Sequence, residues 1–338
     1  MKLRITSILI VYLSLNAYAD SRGTELLTAN RPDGSEINYY LLEESTNSRS
    51  EVLLLVLQGS DCNSVLKKES IFSGYKNVWP KADLLLIEKY GIDKDLSYSS
   101  DGEREDCPSE YLKKDSPEQR VIDIGAVLDT VRKKGAYEKL VVIGGSEGAV
   151  IANMLAASND SVDATISFNG GGRWFIDDVL HNIASEYADD EEAKESIEGF
   201  KGFAEHVLNN EPFDLEVSGH GYSWWHQMLS IDQYNVLKGV KSPLLIVQGG
   251  IDLSVSPEKV DEMILALRES GNENIEYLAC KKLDHGFNNS EGQSELEKVI
   301  VDMNTWLKTT LSSRTLTKRV QENRSYKACF SKNTKVSS

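Results

Sequence analysis

Leu140-Val141-Val142-Ile143-Gly144-Gly145-Ser146-Glu147-Gly148-Ala149-Val150-Ile151-Ala152-Asn153-Met154-Leu155 changes character twice within sixteen residues. The first four residues are a continuous apolar run, as expected of a strand covered on both faces. The next five form a Gly-x-Ser-x-Gly pattern, and the remainder is helix-prone. A serine at a sharp strand-to-helix turn is held in a strained, exposed pose. The flanking glycines remove side chains that would collide with the neighbouring strand and helix, and the helix N-terminus favours negative charge nearby. The pattern alone is weak; its position between a buried strand and a helix gives it weight.

Outward from this turn the same alternation continues. Apolar strand-like runs lie at 37–42, 52–57, 84–87, 164–168, 244–247 and 275–279. Helical stripes lie between several of them. Ser116-Pro117-Glu118 and Ser256-Pro257-Glu258 each read as a capping serine, a proline at the first helical position and an acidic first turn. Val121, Ile124, Leu128 and Val131 face inward in the first helix, and Val260, Met263, Ile264 and Leu267 in the second. Leu296, Val299, Ile300, Met303 and Leu307 mark a last helix. Strands alternating with helices predict an α/β fold with a mostly parallel central sheet flanked by helices. One stretch breaks the rhythm: 173–239 has no buried strand, an acidic middle and three tryptophans, and reads as a mainly helical insertion. The expected division is therefore a core of 20–172 and 240–311, an insertion of 173–239 and a basic tail of 312–338.

The first nineteen residues read as a signal peptide. Lys2 and Arg4 form a basic start, 5–15 is a short, mainly apolar run, and Ala17-Tyr18-Ala19 is a small-x-small cleavage site. The run is short for a bilayer span, so an exported protein, periplasmic or secreted, without stable membrane insertion is expected. The net charge of -16 argues against nucleic acid as a partner, because phosphates need Lys and Arg to neutralise them. Export permits disulfides. The four cysteines allow three pairings. Cys62–Cys107 and Cys280–Cys329 are favoured because each would tie a loop or the tail to the sheet; the alternative is free buried thiols. With no C-x-x-C motif, no metal site is expected.

A serine hydroxyl is a poor nucleophile until a base takes its proton and a carboxylate orients that base. Of the five histidines, His285 follows the 275–279 strand and precedes the last helix, at the edge of the sheet where ligands gather. His181, His206, His220 and His226 lie in the insertion and read as surface or capping residues. Asp252 leaves the preceding strand through Gly249-Gly250-Ile251, so it is the expected acid. Asp284 adjoins His285 too closely to face it, and Asp261 lies within a helix. Two backbone N–H groups would stabilise an oxyanion. Glu147 should supply one, and Ser60 in Gln58-Gly59-Ser60-Asp61-Cys62 the other, with Asp61 as the rival. Trp174, Tyr222, Trp224 and Trp225 either line a substrate pocket or form the insertion's own core.

The Ser146 elbow, the order Ser146…Asp252…His285 and the Gly59 loop after an early strand resemble the α/β-hydrolases. The resemblance covers roughly residues 37 to 311. The Ser-Glu-Gly elbow is similar to that of exported bacterial esterases and dienelactone-hydrolase-like proteins. What the resemblance implies is a helical cap inserted after the sixth strand and an ester-cleaving serine hydrolase acting on a small molecule or short peptide without a cofactor. A serine peptidase of the prolyl-peptidase kind and a non-catalytic hydrolase-like binding protein are the alternatives. One departure stands out: many members carry His-Gly in the oxyanion loop, where this chain has Gln58-Gly59.

Overall fold

Runs such as Val52-Leu53-Leu54-Leu55-Val56-Leu57 carry no polar side chain, so they are stable only where both faces are covered. In the computed structural model every residue of this run is buried, as is every residue of 83–87, 164–168 and 244–249. The structure describes residues 24–44, 50–101, 104–134, 137–187, 190–313 and 327–329. The expected signal peptide, 1–19, lies outside them, as does most of the basic tail.

Among the described residues nine strands make one sheet: β1 (Leu27–Asn30), β2 (Glu36–Leu42), β3 (Val52–Leu57), β4 (Asp83–Ile87), β5 (Lys139–Gly145), β6 (Ala164–Phe168), β7 (Leu244–Gly249), β8 (Ile275–Cys280) and β9 (Lys327–Ala328). Their order is β1-β2-β4-β3-β5-β6-β7-β8-β9. β2 runs antiparallel to β1 and β4, and every other pair is parallel. The register pairs Leu57 with Gly144, Gly145 with Phe168, Phe168 with Val247 and Gly249 with Cys280. The C-terminal ends of β3, β5, β6, β7 and β8 therefore meet along one rim. That rim is where an open parallel sheet presents its loops to a ligand.

The described helices are α1 (Glu69–Ser73), α2 (Ser109–Lys114), α3 (Pro117–Lys134), α4 (Glu147–Ser158), α5 (Phe175–Glu186), α6 (Asp190–Asn209), α7 (Tyr222–Ser230), α8 (Gln233–Gly239), α9 (Pro257–Glu269) and α10 (Leu296–Ser313). α3, α4 and α9 cover one face of the sheet through Val127, Ile151 and Met263. α1 and α10 cover the other through Ile71, Phe72, Val299 and Met303. Both serine-proline starts hold. The Ser116 hydroxyl accepts from the Gln119 N–H at 3.2 Å, and that of Ser256 from the Lys259 N–H at 3.3 Å. Each satisfies one amide that the first turn leaves unpaired.

Two strands go beyond the seven read from the sequence. β1 pairs with β2 through a turn at Pro32-Asp33-Gly34-Ser35, where Gly34 takes φ 86° and the Asp33 carboxylate accepts from the Ser35 N–H. β9 adds the tail to the far edge, beside β8. The disulfides pair Cys62 with Cys107 and Cys280 with Cys329, with Cα atoms 5.9 and 4.6 Å apart. The first ties the loop after β3 to the segment before α2; the second ties the tail to the end of β8.

The helices between β6 and β7 divide into two groups. α5, α6 and α7 enclose a cluster of their own, with Trp224, Trp225, Met228 and Val207 at its centre and Val150 of α4 beneath. α8 instead places Leu237 in the cluster that covers the sheet, and packs on α4 and α9. The segment that stands off the sheet thus ends before α8, because a single buried leucine and valine at 237 and 240 return the chain to the core.

Candidate functional site

Ser146 is the one residue between β5 and α4, with φ 54° and ψ −129°. This backbone is unfavourable for a residue with a Cβ and persists only where its surroundings fix it. They do so from several sides. The Ser146 N–H donates to the Phe168 carbonyl at 3.0 Å, and its own carbonyl accepts from the Ala149 N–H at 2.9 Å. A Cβ placed on Gly144 would fall on the Gly148 carbonyl, so β5 and α4 can approach this closely only with glycine there.

Asp252 follows β7 and is 1% exposed. One carboxylate oxygen accepts from the Ser254 and Val255 N–H groups at 2.8 and 3.1 Å. The other accepts from Gln248 Nε2 at 3.1 Å and faces His285 Nδ1 at 2.8 Å. A carboxylate at Nδ1 places the proton there and leaves Nε2 as the free, basic nitrogen. The imidazole is 32% exposed. Asn169, at the exit of β6, fixes the His285 loop. Its Nδ2 donates to the His285 carbonyl at 2.8 Å, while its Oδ1 accepts from the Gly249 N–H at 2.8 Å. Asn169 is adjacent to Phe168, whose carbonyl holds the Ser146 amide, so it links the Ser146 turn, the β7 exit and the His285 loop. Among the described residues no hydrogen bond reaches the Ser146 hydroxyl; such bonds commonly tighten only when substrate is bound. Asp284 is occupied locally, accepting from the Gly286 and Asn288 N–H groups at 2.9 and 2.7 Å and shaping the loop rather than facing the ring.

The loop after β3 lies against Ser146: a Cβ on Gly59 would stand 3.3 Å from the Ser146 Cβ. The Ser60 and Glu147 N–H groups, each next in sequence to one side of this contact, donate to no other described residue. The Glu147 side chain turns inward instead. It is buried, and its oxygens meet Arg120 Nη1 at 2.7 Å and Lys89 Nζ at 3.3 Å. Burial works to raise its pKa, but Lys89 and Arg120 outweigh that and hold the carboxyl at about 2. Burial pushes the Lys89 ammonium below its ordinary value, against the pull of Glu147. Tyr111 completes this side: its hydroxyl donates to the Ser60 carbonyl at 3.3 Å and lies 3.1 Å from His220 Nδ1. Burial lowers the His220 pKa to about 3, so the ring is neutral, stacked on Trp224 with centroids 3.6 Å apart.

Three of the four aromatic residues considered for a pocket serve the insertion itself. Trp224 and Trp225 are 4% and 6% exposed and pack against Phe175. Trp225 Nε1 donates to the Val217 carbonyl at 3.0 Å, and the Tyr222 hydroxyl to the Asn210 carbonyl at 2.7 Å. Their rings join Phe200, Phe203, Met228 and Leu229 in the apolar cluster that α5, α6 and α7 enclose. Trp174 differs: it precedes α5, half-buried beside the Arg173 guanidinium.

α5 also grips the loop that carries Asp252. The Asp178 carboxylate accepts from the Ser256 N–H at 2.9 Å and the Gly172 N–H at 3.2 Å. His181 Nε2 meets the Asp252 carbonyl at 3.0 Å, and Asn182 Nδ2 donates to the Leu253 carbonyl at 3.2 Å. Residues three and four apart share one helix face, so all three act together. Burial pushes the Asp178 carboxyl up to about 7. Folding then favours its protonated form, and that preference is lost as pH rises from the ordinary carboxyl range through 7. Glu88 and Asp115 are pushed upward by burial in the same way. Thermal stability is expected to fall between about pH 4 and pH 7. Asp178→Asn keeps an acceptor oxygen for Ser256, and should shrink that fall by about 2 °C. Melting curves across the range check it; an identical fall in the variant refutes it.

No protein-family model and no curated protein matches the sequence. Solved structures do match. Est1E from Butyrivibrio proteoclasticus superposes with a TM-score of 0.56 at 16% identity, covering 85% of this chain and 99% of that one. The esterase Pf2001 of Pyrococcus furiosus gives 0.55 at 12% identity, covering 86% and 90%. The chain has the α/β-hydrolase fold. A puromycin-hydrolysing peptidase of Mycobacterium tuberculosis shares this fold at a TM-score of 0.55 and 16% identity, over 90% of this chain but 41% of its own length. The structure brings the serine turn, the Asp252 loop and the His285 loop, each singled out in the sequence, to one rim of the sheet. The sequence reading did not single out Asn169, Arg120, Lys89 or Tyr111. Asn169 had a faint signal, a strand ending in Phe168-Asn169-Gly170-Gly171-Gly172. Among the described residues no group of His, Cys, Asp and Glu side chains is arranged to hold a metal ion, and no helix is long and apolar enough to cross a membrane.

Proposed function

We propose that this chain is an exported serine hydrolase that cleaves carboxylic esters of small molecules through an acyl-enzyme. The observation that carries the reading is the 2.8 Å contact between Asp252 Oδ2 and His285 Nδ1, on the same rim as a serine held at φ 54°. Ser146 Oγ attacks the ester carbonyl while His285 Nε2 takes its proton. The Ser60 and Glu147 N–H groups receive the oxyanion. Collapse of the tetrahedral intermediate breaks the bond to the alkoxy oxygen, which leaves with the proton from His285. Water, deprotonated by the same nitrogen, then releases the acid and restores Ser146. Asp252 orients the ring and stabilises its charged form. Neither a metal nor an organic cofactor takes part. The expected 173–239 cap, narrowed to α5–α7, covers this rim and selects the substrate.

Likeness to a peptidase-containing fold family supports one second reading, cleavage of short peptides. The test is labelling by a fluorophosphonate followed by peptide mapping. A single adduct on the peptide containing Ser146 is expected, and a folded sample that resists labelling would instead make this a binding protein. Turnover of p-nitrophenyl butyrate well above that of alanine p-nitroanilide selects the ester; the reverse order selects the peptidase.

A further inference from the structure

We infer that Arg120 is a positioning residue that sets the distance between the two oxyanion donors; this rests on the hydrolase reading above. The donors belong to different strands. Ser60 follows β3, and Glu147 follows β5. Neither loop hydrogen-bonds the other through its donor amide. Arg120, in the first turns of α3, spans them with one planar group. Its Nη1 donates to Glu147 Oε1 at 2.7 Å, and its Nη2 donates to the Gln58 carbonyl at 3.0 Å. Gln58 is two residues from Ser60, and Glu147 carries the second donor on its own backbone. The guanidinium is buried, so neither bond competes with bulk water.

The neighbours fit this role. Lys89 takes the other oxygen of Glu147 at 3.3 Å, which stops the carboxylate from rotating away. Gln58 Nε2 donates to the Asn63 carbonyl at 3.0 Å, and Cys62–Cys107 closes the loop beyond it. Tyr111 holds the Ser60 carbonyl from below. Each of these fixes one side alone; Arg120 reaches both. A lysine would carry the charge but not the fork, since an ammonium is a point donor on a flexible stem. The chain also lacks the His-Gly found in many oxyanion loops. Here the residue before Gly59 contributes its backbone carbonyl, and the restraint comes from a helix instead.

The test compares wild type, Arg120→Lys and the double variant Arg120→Gln/Glu147→Gln, in which position 147 carries no carboxylate that has lost its guanidinium. Misplacing a donor weakens binding of the transition state more than of the substrate. With p-nitrophenyl butyrate, kcat should fall about 10- to 100-fold with KM unchanged within about twofold. Affinity for a trifluoromethyl ketone, which needs the same donors, should fall by the same factor. A folded Arg120→Lys or double variant with unchanged kcat and ketone affinity overturns the assignment. So does a loss confined to KM, or failure of both variants to fold, which would give Arg120 to the fold alone. A wild type that neither turns over esters nor labels at Ser146 overturns the hydrolase reading itself, and is told apart by that control.

Discussion

Ser146→Ala is expected to lower ester turnover on the order of 10⁶-fold and to abolish fluorophosphonate labelling, with melting temperature unchanged or raised. In the proposed mechanism that hydroxyl oxygen is the atom that bonds covalently to substrate, and its removal sets the size. Retention of fold follows from the site: the Ser146 hydroxyl holds no other described residue, whereas its backbone makes the bonds to Phe168 and Ala149. Relief of nothing but a hydroxyl leaves the φ 54° turn as strained as before. Asp252→Asn belongs to the same experiment and should cost less, about 10⁴-fold in kcat. The amide would still accept from Ser254 and Val255, but its NH2 group would face His285 Nδ1 and force the proton onto the nitrogen meant to act as base. The ordering of the two losses, read by single-turnover kinetics, is the content of the prediction. Equal losses would mean that Asp252 does more than orient the ring; an intact Ser146→Ala enzyme would remove the mechanism.

The second large effect is on folding. Gly144→Ala should destabilise the chain by about 4–5 kcal/mol or prevent soluble expression, far beyond an ordinary substitution. Its Cβ would coincide with the Gly148 carbonyl, and neither partner can yield. β5 is held between β3 and β6 by parallel ladders, and α4 is buried along most of its length. Separating them would disturb Val142 and Ile151, both fully buried in the same cluster. Gly125→Ala is the matched control. It lies within α3 with nothing within 4 Å of an added Cβ. There alanine should add roughly 0.5–1 kcal/mol through helix propensity. Chemical denaturation of both variants measures the contrast; similar stabilities would show that the elbow tolerates a wider spacing.

Features written in neighbouring residues were legible in the sequence. Ser116-Pro117 and Ser256-Pro257 start helices because capping is a matter of three residues. Buried strands declare themselves because both faces are apolar. β1 was missed since four residues, Leu27-Thr28-Ala29-Asn30, give too short an alternation. The site divides in the same way. The Ser146 turn, the Asp252 loop and the His285 loop each follow a strand, so their rim could be inferred from topology. Arg120 and Lys89 could not. They reach Glu147 across 27 and 58 residues, and in the sequence they are one more arginine in an amphipathic helix and one more lysine after a strand. The tryptophans carried two readings because a ring that lines a cleft and a ring that fills a small core have the same signature. Contact with Phe175 and a bond to Val217 place Trp224 and Trp225 in the insertion's own cluster.

The grip of α5 on residues 252–256 has an engineering consequence. Lids of this kind are attractive modules for transplantation, since specificity would travel with them. In this chain α5 is also a splint for the loop that carries Asp252, so a graft that omits Asp178, His181 and Asn182 would leave three backbone groups of that loop without their partners. A recombinant chimera therefore has to cut inside α5, after Asn182, and keep the donor lid on the far side of that joint.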